Sequence, residues 1–341
     1  MHLNVILVLL VVQNSKSLNL KSLESLGISG DSYISDIAVY FNRAFLAIPR
    51  NICQNNISSP TLVELPWKEY NVILKSRFNK PLDNQLWAEC DNLQNAISLA
   101  KETIKSKLWI LDKGNKYCPA KLMAYSMLHN VFLDNDVIEL AKVPKNRLTS
   151  LVIEKNNKFG NHRAFIANAG DNTILACYLN QLDCMHVKLL HQFAHISLEF
   201  LSISNSKLYV TGSKELQNES SISINAKFLG EKLGSSSGLQ ADLKDGLIYY
   251  LTRDYAVVRW INGESMDAEH HDVLAQSYKR MPYVSRLFSD PQGSVYALVN
   301  PFSPEKCVRE STFGNDSIED DSVLERTVKI IKYNWVLDKF Y

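Results

Sequence analysis

The chain has 341 residues, and its 37 Lys and Arg residues nearly balance its 36 Asp and Glu residues, giving a formal net charge of +1. Because no block of like charge stands out, the composition argues against a nucleic-acid partner. The length is sufficient for a sizeable hydrophobic core.

The first residues carry the pattern of a secretory signal peptide. An apolar run from Val5 to Val12 is followed by small and polar residues up to Ser17. Although His2 is a weak substitute for a charged n-region, this pattern favours a cleaved signal over a membrane anchor. No later stretch approaches a membrane-spanning length. We therefore expect a secreted, extracellular protein, with a signal peptide at 1–17 and a single domain at 18–341.

Short strand patterns then follow one another, separated by turn residues. Residues 37–50 read as a hairpin that turns at Asn42 and Arg43, and residues 62–68 read as a short edge strand. Further strands are predicted at 96–100, 108–111, 121–127, 148–154, 163–167, 173–179 and 327–337. Stretches of strand interrupted by turns are predicted at 200–212, at 239–261, which contains two turns, and at 286–299. Residues 267–279 form a possible helix.

The hairpin units recur irregularly along the whole chain. Their second strands open at Arg43, Lys107, Arg163, Lys207, Gly246 and Gly293. Small antiparallel units that recur in this way are typical of a β-propeller, in which neighbouring sheets cover each other's faces. The sequence therefore predicts an all-β, six-bladed β-propeller. A β-sandwich, or a pair of them, would also fit the short strands but would not explain six similar units.

Six cysteines in an exported chain predict disulfide bonds. Cys177 and Cys184 flank the polar stretch YLNQLD, so they could face each other across a hairpin, the alternative being two buried free thiols. The sequence also carries N-x-S sequons, which are plausible glycosylation sites in a secreted protein, at Asn56, Asn218 and Asn315.

Residue patterns that carry catalytic or metal chemistry are weak. His191 and His195 have a spacing that would align them on a helix, but they lie in a loop and strand pattern without an HExxH glutamate. The pair at 270–271 is interpreted as a solvated loop pair. The sequence holds no G-x-S-x-G, Walker A or CxxC motif, so we predict no catalytic residue, no metal site and no cofactor.

Two other sets of residues are interpreted as structural. Asp112 is expected to cap a turn through its carboxylate. Large aromatic side chains at strand spacing usually fill the spaces between sheets, so we expect core positions for Trp109, Tyr249, Tyr250 and Trp260.

Several stretches, in order along the chain, resemble one known family. They lie at 39–50, 59–71, 107–127, 165–179, 239–260 and 285–300, and the most specific is KLWILDKGNKYCP at 107–119. With these stretches the chain is similar to a divergent member of the Yellow and major royal jelly protein family of arthropods. The resemblance implies a secreted six-bladed propeller that binds small aromatic amines, acts around dopachrome in pigmentation, or serves as a nutritional protein.

The resemblance also implies particular site residues. Amine-binding members carry a hydroxyl residue before the strand of the sixth unit, and an asparagine and an aromatic residue after it. Ser285, Asn300 and Phe302 match that order. The family's usual cysteine partner for Cys118 is missing from 103–107, which makes Cys90 the best substitute.

We therefore expect a monomeric propeller that sequesters a biogenic amine, such as serotonin, dopamine or another catecholamine, at its central mouth. The alternative is a dopachrome-converting enzyme of melanin formation, in which polar groups at the same mouth would move protons. A third possibility is a secreted structural or nutritive protein without a small ligand.

Overall fold

In a computed structural model, the structure describes residues 23–24, 26–50, 52–53, 55–67, 80–81, 85–102, 104–140, 143–154, 162–169, 173–190, 207–210, 223–242, 246–305 and 326–331. Short 3-10 helices lie at Lys145–Arg147 and Ala268–His270. The strands are β1 Asp36–Tyr40, β2 Arg43–Ala47, β3 Leu62–Pro66, β4 Lys80–Pro81, β5 Ala96–Glu102, β6 Lys107–Asp112, β7 Lys121–Ser126, β8 Val131–Glu139, β9 Leu148–Ile153, β10 Arg163–Asn168, β11 Thr173–Tyr178, β12 Asp183–Leu190, β13 Lys207–Val210, β14 Ser223–Asn225, β15 Lys227–Glu231, β16 Ser236–Asp242, β17 Gly246–Leu251, β18 Ala256–Ile261, β19 His271–Gln276, β20 Tyr283–Ser289, β21 Val295–Asn300 and β22 Thr327–Ile331.

The strands form small sheets that are almost entirely antiparallel meanders. Strands β1 to β4, β5 to β8 and β16 to β19 each make a four-stranded sheet, and β20 to β22 make a three-stranded one. Strands β9 to β12 carry β14 as a fifth strand, which pairs with β12 in parallel. Strands β13 and β15 form a two-stranded sheet.

The first strand of each larger sheet lies innermost, next to the first strand of a neighbouring sheet. Contacts run from β16 to β20, then to β1, β5 and β9. This radial order is a β-propeller, and it confirms the all-β propeller class. The count differs from the prediction, because the described residues show five blades of three or more strands instead of six. The two-stranded sheet lies in the sequence between the third of these blades and the fourth.

Apolar side chains fill the spaces between blades. Trp109, Leu122, Leu151 and Ile166 belong to one buried cluster, which joins the second blade to the third. The first and last blades meet in the same way, with the Trp67 ring edge-on to Tyr296 at 5.1 Å between centroids. The predicted core aromatics are confirmed as buried, namely Trp109, Tyr249, Tyr250 and Trp260.

Two predicted elements were wrong. The possible helix at 267–279 is a short 3-10 turn followed by β19, because backbone pairing of β19 with β18 satisfies its polar groups. The stretch at 62–68, predicted to be an edge strand of a sheet, is not at an edge, since β3 is paired on both sides, with β2 and with β4.

The signature stretch at 107–119 forms β6 and the loop after it. Asp112 caps that loop as predicted, accepting hydrogen bonds from the backbone N–H groups of Gln94, Asn95 and Gly114 at 2.7 to 2.8 Å. Gly114 has a positive φ of 68°, and a Cβ there would overlap the carbonyl of Pro119. This position therefore requires glycine.

Disulfide bonds are present at both expected places. Cys90 is bonded to Cys118, and Cys177 is bonded to Cys184, its directly opposite partner across the β11–β12 hairpin. The alternative of two free thiols at 177 and 184 was wrong. Cys53 is also disulfide-bonded. In the described part of the chain, no helix combines the length and the apolar character that crossing a membrane requires.

Candidate functional site

Two tyrosines meet at the mouth where the innermost strands begin. Tyr33 lies just before β1, and Tyr283 opens β20. Their ring centroids are 6.4 Å apart, and their planes are tilted by 41°. Burial raises the pKa of both hydroxyls, so both phenols are neutral at ordinary pH. The pair is an aromatic contact between the first and last blades, in which Tyr33 is buried and Tyr283 is half-buried.

A carboxylate and a third ring follow β21 on the same side of the molecule. Glu305 is exposed, and its charge contributes to the raised pKa of Tyr283. Phe302, in the same segment, is half-buried. Aromatic faces near a carboxylate are complementary to a ligand that carries both a ring and an ammonium group.

Ser285 and Asn300 lie next to this tyrosine pair, since Asn300 is the strand partner of Tyr283, and they hold the chain that carries Tyr33. The Asn300 side chain donates to the Ile34 carbonyl at 2.9 Å and to the Ser285 hydroxyl at 2.8 Å. Its carbonyl oxygen accepts from the Ile34 N–H at 2.8 Å and from Arg326 at 3.1 Å. Ser285 itself donates to the Ile34 carbonyl at 2.9 Å. We call this arrangement the Asn300 clasp.

Arg326 is fully buried and completes the clasp. It donates to the carbonyls of Gly30 and Ser32 as well as to Asn300. Burial lowers the pKa of Arg326 to about 10, so it stays charged at neutral pH. Carbonyl oxygens therefore provide most of its solvation in place of water.

Below the mouth, polar side chains link consecutive innermost strands. Asp36 on β1 accepts from the Ser98 hydroxyl at 2.7 Å and from the Leu99 N–H at 2.9 Å, both on β5. On its other side it is 3.4 Å from Arg286 of β20. Asp36 is buried and already paired, so it is better placed to align blades than to receive an amine.

The predicted ligand residues are thus partly brought together. Ser285 and Asn300 are adjacent, but their polar atoms are engaged by Ile34, by Arg326 and by each other, and direct ligand contact by either stays a prediction. Phe302 follows Asn300 closely in the chain. The geometry instead brings Tyr33 and Tyr283 together, with Glu305 acting on Tyr283 through its charge, and no sequence pattern singled these residues out.

Other predicted positions have varied outcomes. Asn56 is exposed in a turn, as a glycan acceptor must be, whereas Asn218 and Asn315 lie outside the described residues. His191 and His195 also lie outside them. His271 is not a solvated loop residue, because its ring is 2.7 Å from the Tyr249 hydroxyl. Among the residues the structure describes, no cluster of three His, Cys, Asp or Glu side chains could hold a metal ion.

No family model and no curated protein matches the chain. Solved structures that it resembles include U3-55K, with 10% identity over 89% of this chain and 96% of that one at a TM-score of 0.45. A catalytically inactive virginiamycin B lyase from Staphylococcus aureus has 9% identity over 79% and 78% of the two chains, with a TM-score of 0.46. Another is a chain of a nidogen/laminin complex, at 10% identity over 70% and 80%, with a TM-score of 0.41. Likenesses of this size carry no inference about activity.

Proposed function

We propose that the protein is a secreted, six-bladed propeller that sequesters a small aromatic amine at its central mouth without a covalent step. The observation that carries the proposal is the Tyr33–Tyr283 pair together with Glu305, whose charge helps to raise the pKa of Tyr283. An aromatic amine needs a ring to stack on and a carboxylate to receive its ammonium group. Family resemblance at 285–300 points to the same end of the sixth unit.

The sixth blade in this proposal includes the two-stranded sheet of β13 and β15. That sheet occupies the place in the sequence that the recurrence of hairpin units assigns to the fourth unit, which opens at Lys207. The parallel strand β14 would then be the connection that passes between the third and fourth blades.

In this binding mode the ligand ring packs against Tyr283 and Phe302, and its ammonium group pairs with Glu305. Ser285 and Asn300 act as positioning residues, because they fix Ile34 and hence the neighbouring Tyr33. Exposed ion pairs and cation–π contacts each contribute about 1 kcal/mol, so affinity should come from their combination.

Calorimetric titration of the purified full-length protein with serotonin and with dopamine tests the proposal. We expect saturable heat, and about tenfold weaker binding in Glu305→Gln because the ammonium group loses its carboxylate partner. The matched control is Glu269→Gln, which changes an exposed carboxylate within the 3-10 helix at Ala268–His270 and should bind as the wild type does.

Two outcomes would contradict amine binding. One is the absence of heat at high micromolar amine, and the other is equal affinity for an analogue in which a hydroxyl replaces the amine. Loss of dopachrome absorbance beyond a buffer control would instead favour the alternative of a dopachrome-converting enzyme.

A further inference from the structure

Lys232 is a buried amine that lies apart from the Tyr33–Tyr283 pair. It is only 5% exposed, and it follows β15 at the start of the short turn that leads into β16. Its Nζ donates to the Ser236 hydroxyl at 2.6 Å and lies 5.9 Å from the centre of the Tyr249 ring. In the described part of the chain, no carboxylate pairs with it.

Tyr249 also contacts a second titratable side chain, that of His271. The Tyr249 hydroxyl is 2.7 Å from His271 Nε2, and the other ring nitrogen of His271 lies 2.8 Å from the Asp267 carbonyl. If His271 Nδ1 carries the proton and donates to that carbonyl, Nε2 is left to accept the phenol proton. Lys232, which directly follows β15, thus lies near the ring of Tyr249 on β17, and the Tyr249 hydroxyl contacts His271 on β19.

The surroundings of Lys232 favour its neutral form. A buried ammonium group with one hydroxyl acceptor has lost most of its hydration, and burial lowers the pKa of Lys232 to about 8. Burial also lowers the pKa of His271, while it raises that of Tyr249 to about 12. At neutral pH these neighbours add no formal charge, so desolvation dominates at the amine.

We propose that Lys232 is a carbonyl-reactive amine that takes small aldehydes as a reversible imine, with the Tyr249 phenol assisting proton transfer. This activity goes beyond amine sequestration and uses different residues. The carbonyl compound has to be small, because Lys232 is only 5% exposed, although Leu233 and Ser235 in the turn that follows it are exposed.

The step balances without any oxidant or reductant. The Nζ lone pair attacks the carbonyl carbon, a C–N bond forms, and the carbonyl oxygen takes a proton to give a carbinolamine. Transfer of a second proton to that hydroxyl releases water as the C=N bond forms. Both protons originate on the amine, and the Tyr249 phenol can relay them.

Reductive methylation tests the proposal on the folded full-length protein. Low doses of formaldehyde with cyanoborohydride are applied between pH 6 and 10, and the modified lysines are located by mass spectrometry. At pH 7 we expect Lys232 to be modified about tenfold faster than the exposed Lys116 and Lys279, because far more of its amine is unprotonated. Its rate should level off above about pH 8, while theirs keeps rising.

Two further results decide the matter. Tyr249→Phe retains the ring but removes the hydroxyl that contacts His271, so it should melt somewhat lower, and it should slow modification of Lys232 several-fold with no change at Lys116 or Lys279. Slower modification of Lys232 than of both exposed lysines at pH 7 would overturn the proposal. An unchanged Lys232 rate in Tyr249→Phe would overturn the role of the phenol.

Discussion

Replacing Asn300 with alanine should loosen the junction between the first and last blades. The substitution removes four hydrogen bonds, two that the amide donates and two that its carbonyl oxygen accepts. The Ile34 carbonyl still accepts a hydrogen bond from the Ser285 hydroxyl, and Arg326 still donates to the Ser32 carbonyl. The buried Ile34 N–H, however, loses its acceptor. An unsatisfied buried N–H costs about 1–3 kcal/mol.

The lost hydrogen bonds to Ser285 and Arg326 add to this cost. We therefore expect Asn300→Ala to lower the free energy of unfolding by about 3 kcal/mol. For a domain of this size the melting temperature should fall by roughly 6–10 °C. Ser285→Ala removes fewer bonds and should cost about 1 kcal/mol.

Thermal and urea unfolding, followed by circular dichroism, measure the effect. Asn92→Ala is the matched control, because its side chain makes one exposed hydrogen bond, to Glu89, and should change stability by less than about 0.5 kcal/mol. A difference of less than about 1 °C between the melting temperatures of Asn300→Ala and Asn92→Ala would show that the Asn300 clasp does not hold the two blades together.

Three other predictions concern stability. Glu64→Gln should destabilise the protein by about 3 kcal/mol in urea unfolding, because the buried Arg43 would lose a two-point ion pair; a loss under about 1 kcal/mol would contradict this. Replacing both Cys90 and Cys118 by alanine should cost about 3 kcal/mol in the same assay, since the bond closes a 28-residue separation. For Lys232, the folded pKa of about 8 lies below the unfolded value, so the unfolded chain binds more protons and stability rises with pH above 8. Lys232→Met should therefore be more stable than the wild type at pH 7, and melting between pH 7 and 9.5 should show that difference shrinking.

The hairpins could be predicted because their information is local. Short apolar runs bounded by turn residues identified β1 with β2 and β5 with β6, and the carboxylate of Asp112 was correctly assigned to a turn. The error at 267–279 has the opposite cause. Its residues are mostly exposed on an outer strand, so the burial pattern that distinguishes a strand from a helix was weak there.

The mouth could not be predicted in the same way, because it depends on residues far apart in the chain. Asn300 and Ile34 are 266 positions apart, and Tyr33 meets Tyr283 only once the ring of blades has closed. Ser285 and Asn300 were found through a family pattern, which gave their proximity but not the contacts that occupy them. Lys232 carries no local signal either, since its environment comes from neighbouring strands.

The Asn300 clasp has a consequence for how the molecule loses structure. In a linear array of repeats the terminal units have one neighbour each and fray first. Here the segment before β1 is tied to the end of β21 and to Arg326, so it has no free edge from which to peel away. The amide hydrogen of Ile34 should exchange with solvent as slowly as those in the middle of a blade, although it lies outside any strand.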